Sequence, residues 1–267
     1  MVSLFDDQAA GLRKLFAGAR GPATAAFAGT MGRGALVAAL ARGLAAAGKE
    51  VLVIDEHAGA DSVAAAFGLR SRFDLLQAVN RDVPAAQVLL QPEPSIRLLP
   101  AARASRQCAR LDAMERRALA EWLRRLQKGV DFVLVDTAEC AAADFSPLLP
   151  QPQRIILALS PDSRSITEAY AQMKRLAQQR GCRRFSIVLL AAGTAEGRTV
   201  FANLREVARR HLGAELELIG GEDGHGDPDC VGHALTESFL NPTREAAGGF
   251  PVAARGLQGV TAAYQVV

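Results

Sequence analysis

The chain has 267 residues, 49% of them hydrophobic and 22% charged, with a formal net charge of +3, the profile of a globular protein with a substantial core. Its 31 Lys/Arg are scattered among 28 Asp/Glu, which gives no basis for a nucleic-acid binder. No apolar run is long enough to cross a bilayer, no secretory leader pattern opens the chain, and Cys108, Cys140, Cys182 and Cys230 form no CxxC pair; a reducing cytoplasm is the expected compartment, with peripheral membrane contact as the outer limit.

In chain order, the first expected element is an amphipathic helix over residues 4–17, with Leu4, Phe5, Ala9, Leu12, Leu15 and Phe16 on one side. Buried-type strands are predicted at 25–28, 51–55, 96–99, 132–136, 155–159, 186–190 and 216–219, with helical periodicity between most of them. This alternation predicts a doubly wound, mostly parallel α/β sheet. The α/β domain is placed at 21–240, preceded by the helical segment 1–20. A Gly/Asp-rich loop is expected at 220–229 before an irregular tail, 241–267. Arg205, Arg209 and Arg210, with Glu206 among them, read as a solvated helix face. His225, Asp227, Cys230 and His233 match no standard zinc spacing.

Residues 23–57 form the unit with most information: a short apolar strand, a glycine-bearing turn at 29–34, an Ala/Leu-rich helix ending at Gly48, and a strand closing on Asp55. That is the layout of a P-loop, in which backbone N–H groups at a helix N-terminus cradle phosphates, a lysine reaches the β/γ-phosphates and a Ser/Thr hydroxyl holds magnesium. Here Arg33 stands in the lysine's place and Gly34 in the hydroxyl's. Ligands of doubly wound sheets bind at the carboxyl ends of the strands, where Gly29, Gly32, Arg33, Asp55 and Asp136 fall. Two readings stay open for the turn, a plain strand-to-helix connection or a residual nucleotide site. Two also stay open for Asp136, a helix cap or a magnesium-side carboxylate, and the missing hydroxyl at position 34 favours the cap. Asp55, Asp136 and Glu139 have no nucleophile beside them to support acid/base chemistry. Arg103 and Arg106 follow the strand at 96–99 and read as solvated surface, with a rebuilt phosphate site as the alternative.

Several segments carry a family resemblance. Asp7-Gln8-Ala9-Ala10-Gly11-Leu12-Arg13 matches the DQAxxLR signature that precedes the ATPase domain in the FlhG/FleN branch of the MinD/ParA family. VDFVLVDT (130–137) resembles that family's Walker B strand, SPDSRSITEAYAQMK (160–174) the strand-to-helix segment after it, and AEGRTVFANLREVARRHLGAELELIG (195–220) its later helix and strand. Together the matches run over residues 5–220.

The resemblance implies a P-loop NTPase-like fold of the MinD type and a regulator of flagellar number or placement. It also implies that the 1–20 segment acts on the composite active site of an FlhF-type SRP GTPase, with Gln8 orienting the attacking water as glutamines do in other GTPases. Leu12 would then anchor the helix and Arg13 pair with an acidic surface; Asp7 completes the signature. A flagellar transcription activator is the second implied partner. Against the family's GKGGVGKT pattern, however, residues 27–34 read FAGTMGRG, and only Gly29 and Gly32 coincide. Ala28 replaces the signature lysine, Leu189 the base-contacting asparagine, and Asp55-Glu56-His57 keeps only the first carboxylate of the strand-end DxD. Arg33 retains a charge but as a wide planar fork. At about 1.5–3 kcal/mol per lost charged contact, three or four such losses weaken ATP/Mg binding by several orders of magnitude. The expected result is a pseudo-ATPase, with a slow ATPase, flagellar or positioning another cargo, as the alternative. The 251–267 tail carries one basic residue and two interior glycines, unlike the membrane-seeking helix of many relatives. Monomer and homodimer both remain open.

Overall fold

The computed structural model describes residues 21–29, 32–138, 146, 148, 152–190, 194–219 and 228–241. The predicted 4–17 helix, the DQAAGLR segment, most of the 220–229 loop and the 242–267 tail lie outside these residues.

One eight-stranded sheet organises the described chain. Its strands are β1 (Ala23–Gly29), β2 (Val51–Asp55), β3 (Leu90–Glu93), β4 (Ile96–Pro100), β5 (Phe132–Asp136), β6 (Arg154–Leu159), β7 (Arg184–Leu189) and β8 (Glu215–Ile219). They lie side by side in the order β3-β4-β2-β5-β1-β6-β7-β8. Only β3 runs antiparallel, against β4; the other pairings are parallel. All seven strands predicted from the sequence are present. β3 is the addition: LQPE is short, polar and contains a proline, which a strand tolerates only at a sheet edge.

The long helices follow from crossover geometry, since parallel neighbours need a connection over one face. They are α1 (Arg33–Ala46), α6 (Ala113–Leu126), α7 (Ser163–Arg180), α8 (Thr194–Leu212) and α9 (Pro228–Leu240), with short helices α2 (Val63–Ala66), α3 (Leu75–Val79), α4 (Ala85–Val88) and α5 (Ala102–Gln107) between strands. Alternation along β1 divides the core: Ala25 and Phe27 join Leu36, Leu40 and Leu44 of α1 on one face, while Ala26 and Ala28 look to the other. There Leu119 and Leu123 of α6 cover one half of the sheet and Met173 of α7 with Leu204 of α8 the other. Helix α1 is apolar nearly all round because α9 covers its outer side.

Helix α9 adds an element that the sequence reading did not assign between the 220–229 loop and the tail at 241. Its apolar residues Val231, Leu235 and Phe239 pack into the α1 layer. The crossing is close: a Cβ at Gly43 would lie 2.2 Å from Thr236 Oγ1, and one at Gly232 2.6 Å from Ala39 Cβ. The small residues that allow this approach are the ones that hid the helix, since Gly232 and Thr236 interrupt the apolar pattern.

Candidate functional site

The carboxyl ends of β1, β2 and β5 meet at one place, because β5 lies between the other two and Asp55 is in register with Asp136. Gly29 closes β1 at φ +118°, and a side chain there would overlap the Ala158 carbonyl, its Cβ 1.8 Å from the oxygen. Gly32, φ +87°, is the N-cap of α1. Both glycines are therefore fixed by backbone geometry, and this much of the P-loop pattern has a structural cause.

Arg33, the first residue of α1, turns into this junction and is 5% exposed. Its Nε donates to Asp136 Oδ1, its Nη1 to the Gly29 carbonyl at 2.7 Å, and its Nη2 to the Thr137 carbonyl at 3.1 Å. Nη2 also meets Nε2 of His57, which lies 2.8 Å from the same Thr137 oxygen. Nε2 serves one of these contacts at a time: with the ring proton on Nδ1 it accepts from Nη2, and with the proton on Nε2 it donates to the Thr137 carbonyl. The wide guanidinium thus spans the space between the turn and the Walker B-like strand, and every arm of the fork is used. A lysine offers one point of contact and cannot make this bridge.

Asp136 is neither a helix cap nor, as it stands, a free metal ligand. One oxygen takes Arg33; the other, Oδ2, is buried with no hydrogen-bond partner among the described residues. Burial pushes its carboxyl above the ordinary carboxylate range, while Arg33 and His57 pull the other way. Asp55 instead takes the helix-capping work, accepting from the Ala64 amide of α2 at 2.9 Å and the His57 amide at 3.1 Å. Burial and the neighbouring Asp136 charge raise it to about 7, against those two amides. Glu56 accepts from the Ala138 amide at 3.1 Å and from the Ser146 hydroxyl, and burial raises it to about 7 as well.

These shifts fix a pH dependence. The native state binds the protons of Asp55 and Glu56 more tightly than the unfolded chain, where such groups titrate near 4. The stability they contribute is full below pH 4 and is lost as pH rises towards and through about 7. Glu56→Gln keeps the shape and removes the buried charge. Its melting temperature is expected to exceed that of the parent by several degrees at pH 8 and to converge with it at pH 5, measured by thermal denaturation in a buffer series.

A magnesium nucleotide does not fit these residues. A Cβ at Gly34 would lie 2.3 Å from the Asp61 carbonyl oxygen and 2.9 Å from that of Ser62, so backbone occupies the place of the Ser/Thr side chain. The cation that would face the phosphates is bound inward to Asp136. Ala28 is 4% exposed in the apolar cluster with Leu157, Leu159 and Ala169, where a lysine would have no water and no partner. Leu189 packs against the same cluster.

Among the described residues no group of three or more His, Cys, Asp or Glu is placed to hold a metal; Cys230 and His233 lie on α9, and His225 and Asp227 lie outside the described residues, as does Glu139. Asp7, Gln8, Leu12 and Arg13 are outside them too. Arg205, Arg209 and Arg210 do form a solvated face of α8, with Glu206 bridging Arg209 and Arg210. The sequence reading missed Glu56, His57 and Thr137 as members of the site. The Asp-Glu-His strand end was the available signal, but nothing in it indicated that Glu56 turns inward.

No family profile matches the chain. It is similar to the antiactivator FleN of Pseudomonas aeruginosa, 29% identical over 182 residues covering 68% of this chain and 65% of that protein. It is also similar to the flagellum site-determining protein YlxH of Helicobacter pylori, 26% identical over 71% of this chain and 64% of that one. It therefore spans just under two thirds of the length of these curated relatives. Among solved structures, the MinC:MinD cell division protein complex of Aquifex aeolicus superposes with a TM-score of 0.55 at 20% identity, over 84% of this chain and 92% of that one. Cobyrinic acid a,c-diamide synthase of Mycobacterium smegmatis with bound ADP and magnesium gives 0.59 at 17% identity, over 84% and 97%. The fold is that of the MinD/ParA-type P-loop NTPases.

Proposed function

Because the chain is related to the FlhG/FleN branch of the MinD/ParA family, we propose that it regulates flagellar number or placement by binding proteins, without an ATP cycle. The observation that carries the second half is the buried Arg33–Asp136 pair, which joins the P-loop-like turn to the Walker B-like strand from within. A guanidinium of the chain itself bridges the two elements, taking Asp136, the Gly29 carbonyl and the Thr137 carbonyl. The globular body is then held in one state and serves as a scaffold for a flagellar transcription activator or for an FlhF-type GTPase.

The action on that GTPase is assigned to the intact DQAAGLR segment. Gln8 supplies the amide that orients the attacking water near the γ-phosphate, Leu12 and its apolar neighbours anchor the helix, and Arg13 pairs with an acidic surface of the partner. The test is the GTP hydrolysis rate of an FlhF-type GTPase with the intact protein, with a peptide of residues 1–20, and with Gln8→Ala. Stimulation of tenfold or more by protein and peptide, lost in the variant, is the expected outcome. No stimulation by either would leave the scaffold role alone.

The second reading, a slow ATPase, has one observation in its favour. Helix α1 begins at a glycine with no side-chain cap and no acidic residue in its first turn, which leaves its N-terminal dipole uncompensated. Magnesium-dependent ATP affinity below millimolar would establish that reading in place of the first.

A further inference from the structure

Positive charge on this molecule is concentrated where the whole-chain balance conceals it. Residues 103–128 carry eight Arg/Lys against three Asp/Glu, so the remainder of the chain is net negative by two charges. The segment comprises α5, a 3-10 turn (Cys108–Arg110) and α6, which lie on the same face of the sheet with Ala104, Cys108, Leu119 and Leu123 turned to the core. Arg103, Arg106 and Arg110 recur at i, i+3 and i+7; Arg117 and Arg124 recur at i and i+7, with Lys128 in the turn beyond. All six side chains belong to exposed residues, and none has an ion pair among the described residues. Elsewhere some exposed arginines are matched, Arg164 by Glu168, Arg184 by Glu215, Arg209 and Arg210 by Glu206, while those without an ion pair among the described residues, such as Arg81, Arg175 and Arg198, are dispersed along the chain. Beside the second row stands Met114, 79% exposed, three residues before Arg117 on the same side of α6.

We propose that α5 and α6 form a docking surface for an acidic, amphipathic helix of a partner protein. Rows of cations at helical spacing on two rigid elements present charge at the intervals at which a second helix presents carboxylates. Five of the six are arginines, whose planar forks bind carboxylates bidentately and lose less freedom per bond than lysine. Met114 gives the surface an apolar knob of the adaptable kind used at protein interfaces. A bilayer is the poorer fit, since the apolar faces of both helices are committed to the core and none is left to insert. Nucleic acid fits the charge but not the exposed thioether, and the rows offer no aromatic platform.

Fluorescence anisotropy of the full chain tests it with a labelled 18-residue helical peptide carrying Glu at i, i+3 and i+7 and an adjoining Leu row. The controls are a scrambled peptide of the same composition, a 20-base-pair DNA duplex, and phosphatidylglycerol vesicles followed by co-sedimentation. The expected result is binding of the helical peptide at least tenfold tighter than the scrambled one. Arg117→Glu with Arg124→Glu should weaken it at least tenfold, Met114→Ala about threefold, and Arg205→Glu with Arg210→Glu on α8 less than threefold, all with unchanged circular dichroism. Equal binding of the scrambled peptide, tighter binding of DNA or vesicles, or indifference to the α6 reversals would each overturn the proposal.

Discussion

Arg33→Met is expected to lower stability by about 3–5 kcal/mol, the cost of removing one partner of a buried ion pair and leaving the other charge uncompensated. Asp136, Asp55 and Glu56 are each no more than 1% exposed, and Arg33 is the guanidinium within reach of Asp136. Without it, Gly29 and Thr137 also lose the donor to their carbonyls. At this size each kcal/mol moves the melting temperature by about 2–4 °C, so a fall of about 10 °C should be read by calorimetry. The double variant Arg33→Met with Asp136→Leu should recover much of that loss, because an apolar pair of similar volume has no charge to desolvate. A double variant no more stable than the single one would mean that the carboxylate has partners beyond Arg33.

Gly34→Thr, which writes the family's hydroxyl back into the loop, is expected to destabilise the chain by about 2–3 kcal/mol and to restore no ATP binding. The obstacle is backbone: the new Cβ would lie 2.3 Å from the Asp61 carbonyl oxygen, and the following Ser62 is the N-cap of α2, accepting from the Ala65 amide at 3.1 Å. Asp55 holds the same short helix through Ala64, so the 59–62 segment cannot retreat without breaking both caps. Combining Gly34→Thr with Arg33→Lys should add the two losses rather than regain a site. A stable variant that binds ATP would show instead that the segment moves aside and the site is latent.

The sheet was legible because its strands are buried on both faces and read as continuous apolar runs; β5, FVLVD, is buried at every position. Edge strand β3 and helix α9 were not, the first because an edge strand need not be apolar, the second because close packing against α1 selects Gly232 and Thr236 over helix formers. At the site, the residues that depart from the P-loop pattern were readable one by one, and so was the misfit of an arginine in a phosphate cradle. What the sequence could not convey is that the departures complement one another. Gly34 admits the backbone of Asp61, Ala28 sits under α7, and Arg33 reaches the aspartate of the Walker B-like strand 103 residues away. Such pairings depend on strand order, which residue spacing does not encode. The basic surface of α5 and α6 was overlooked for a related reason: whole-chain charge averages over faces that the fold keeps apart.

The most direct measurement is calorimetric titration of the intact protein with ATP, with and without magnesium, at neutral pH. An internal bridge between Arg33 and Asp136 predicts no binding up to millimolar nucleotide and no effect of the metal. Magnesium-dependent binding at sub-millimolar ATP would contradict the account, because it requires Arg33 to leave Asp136.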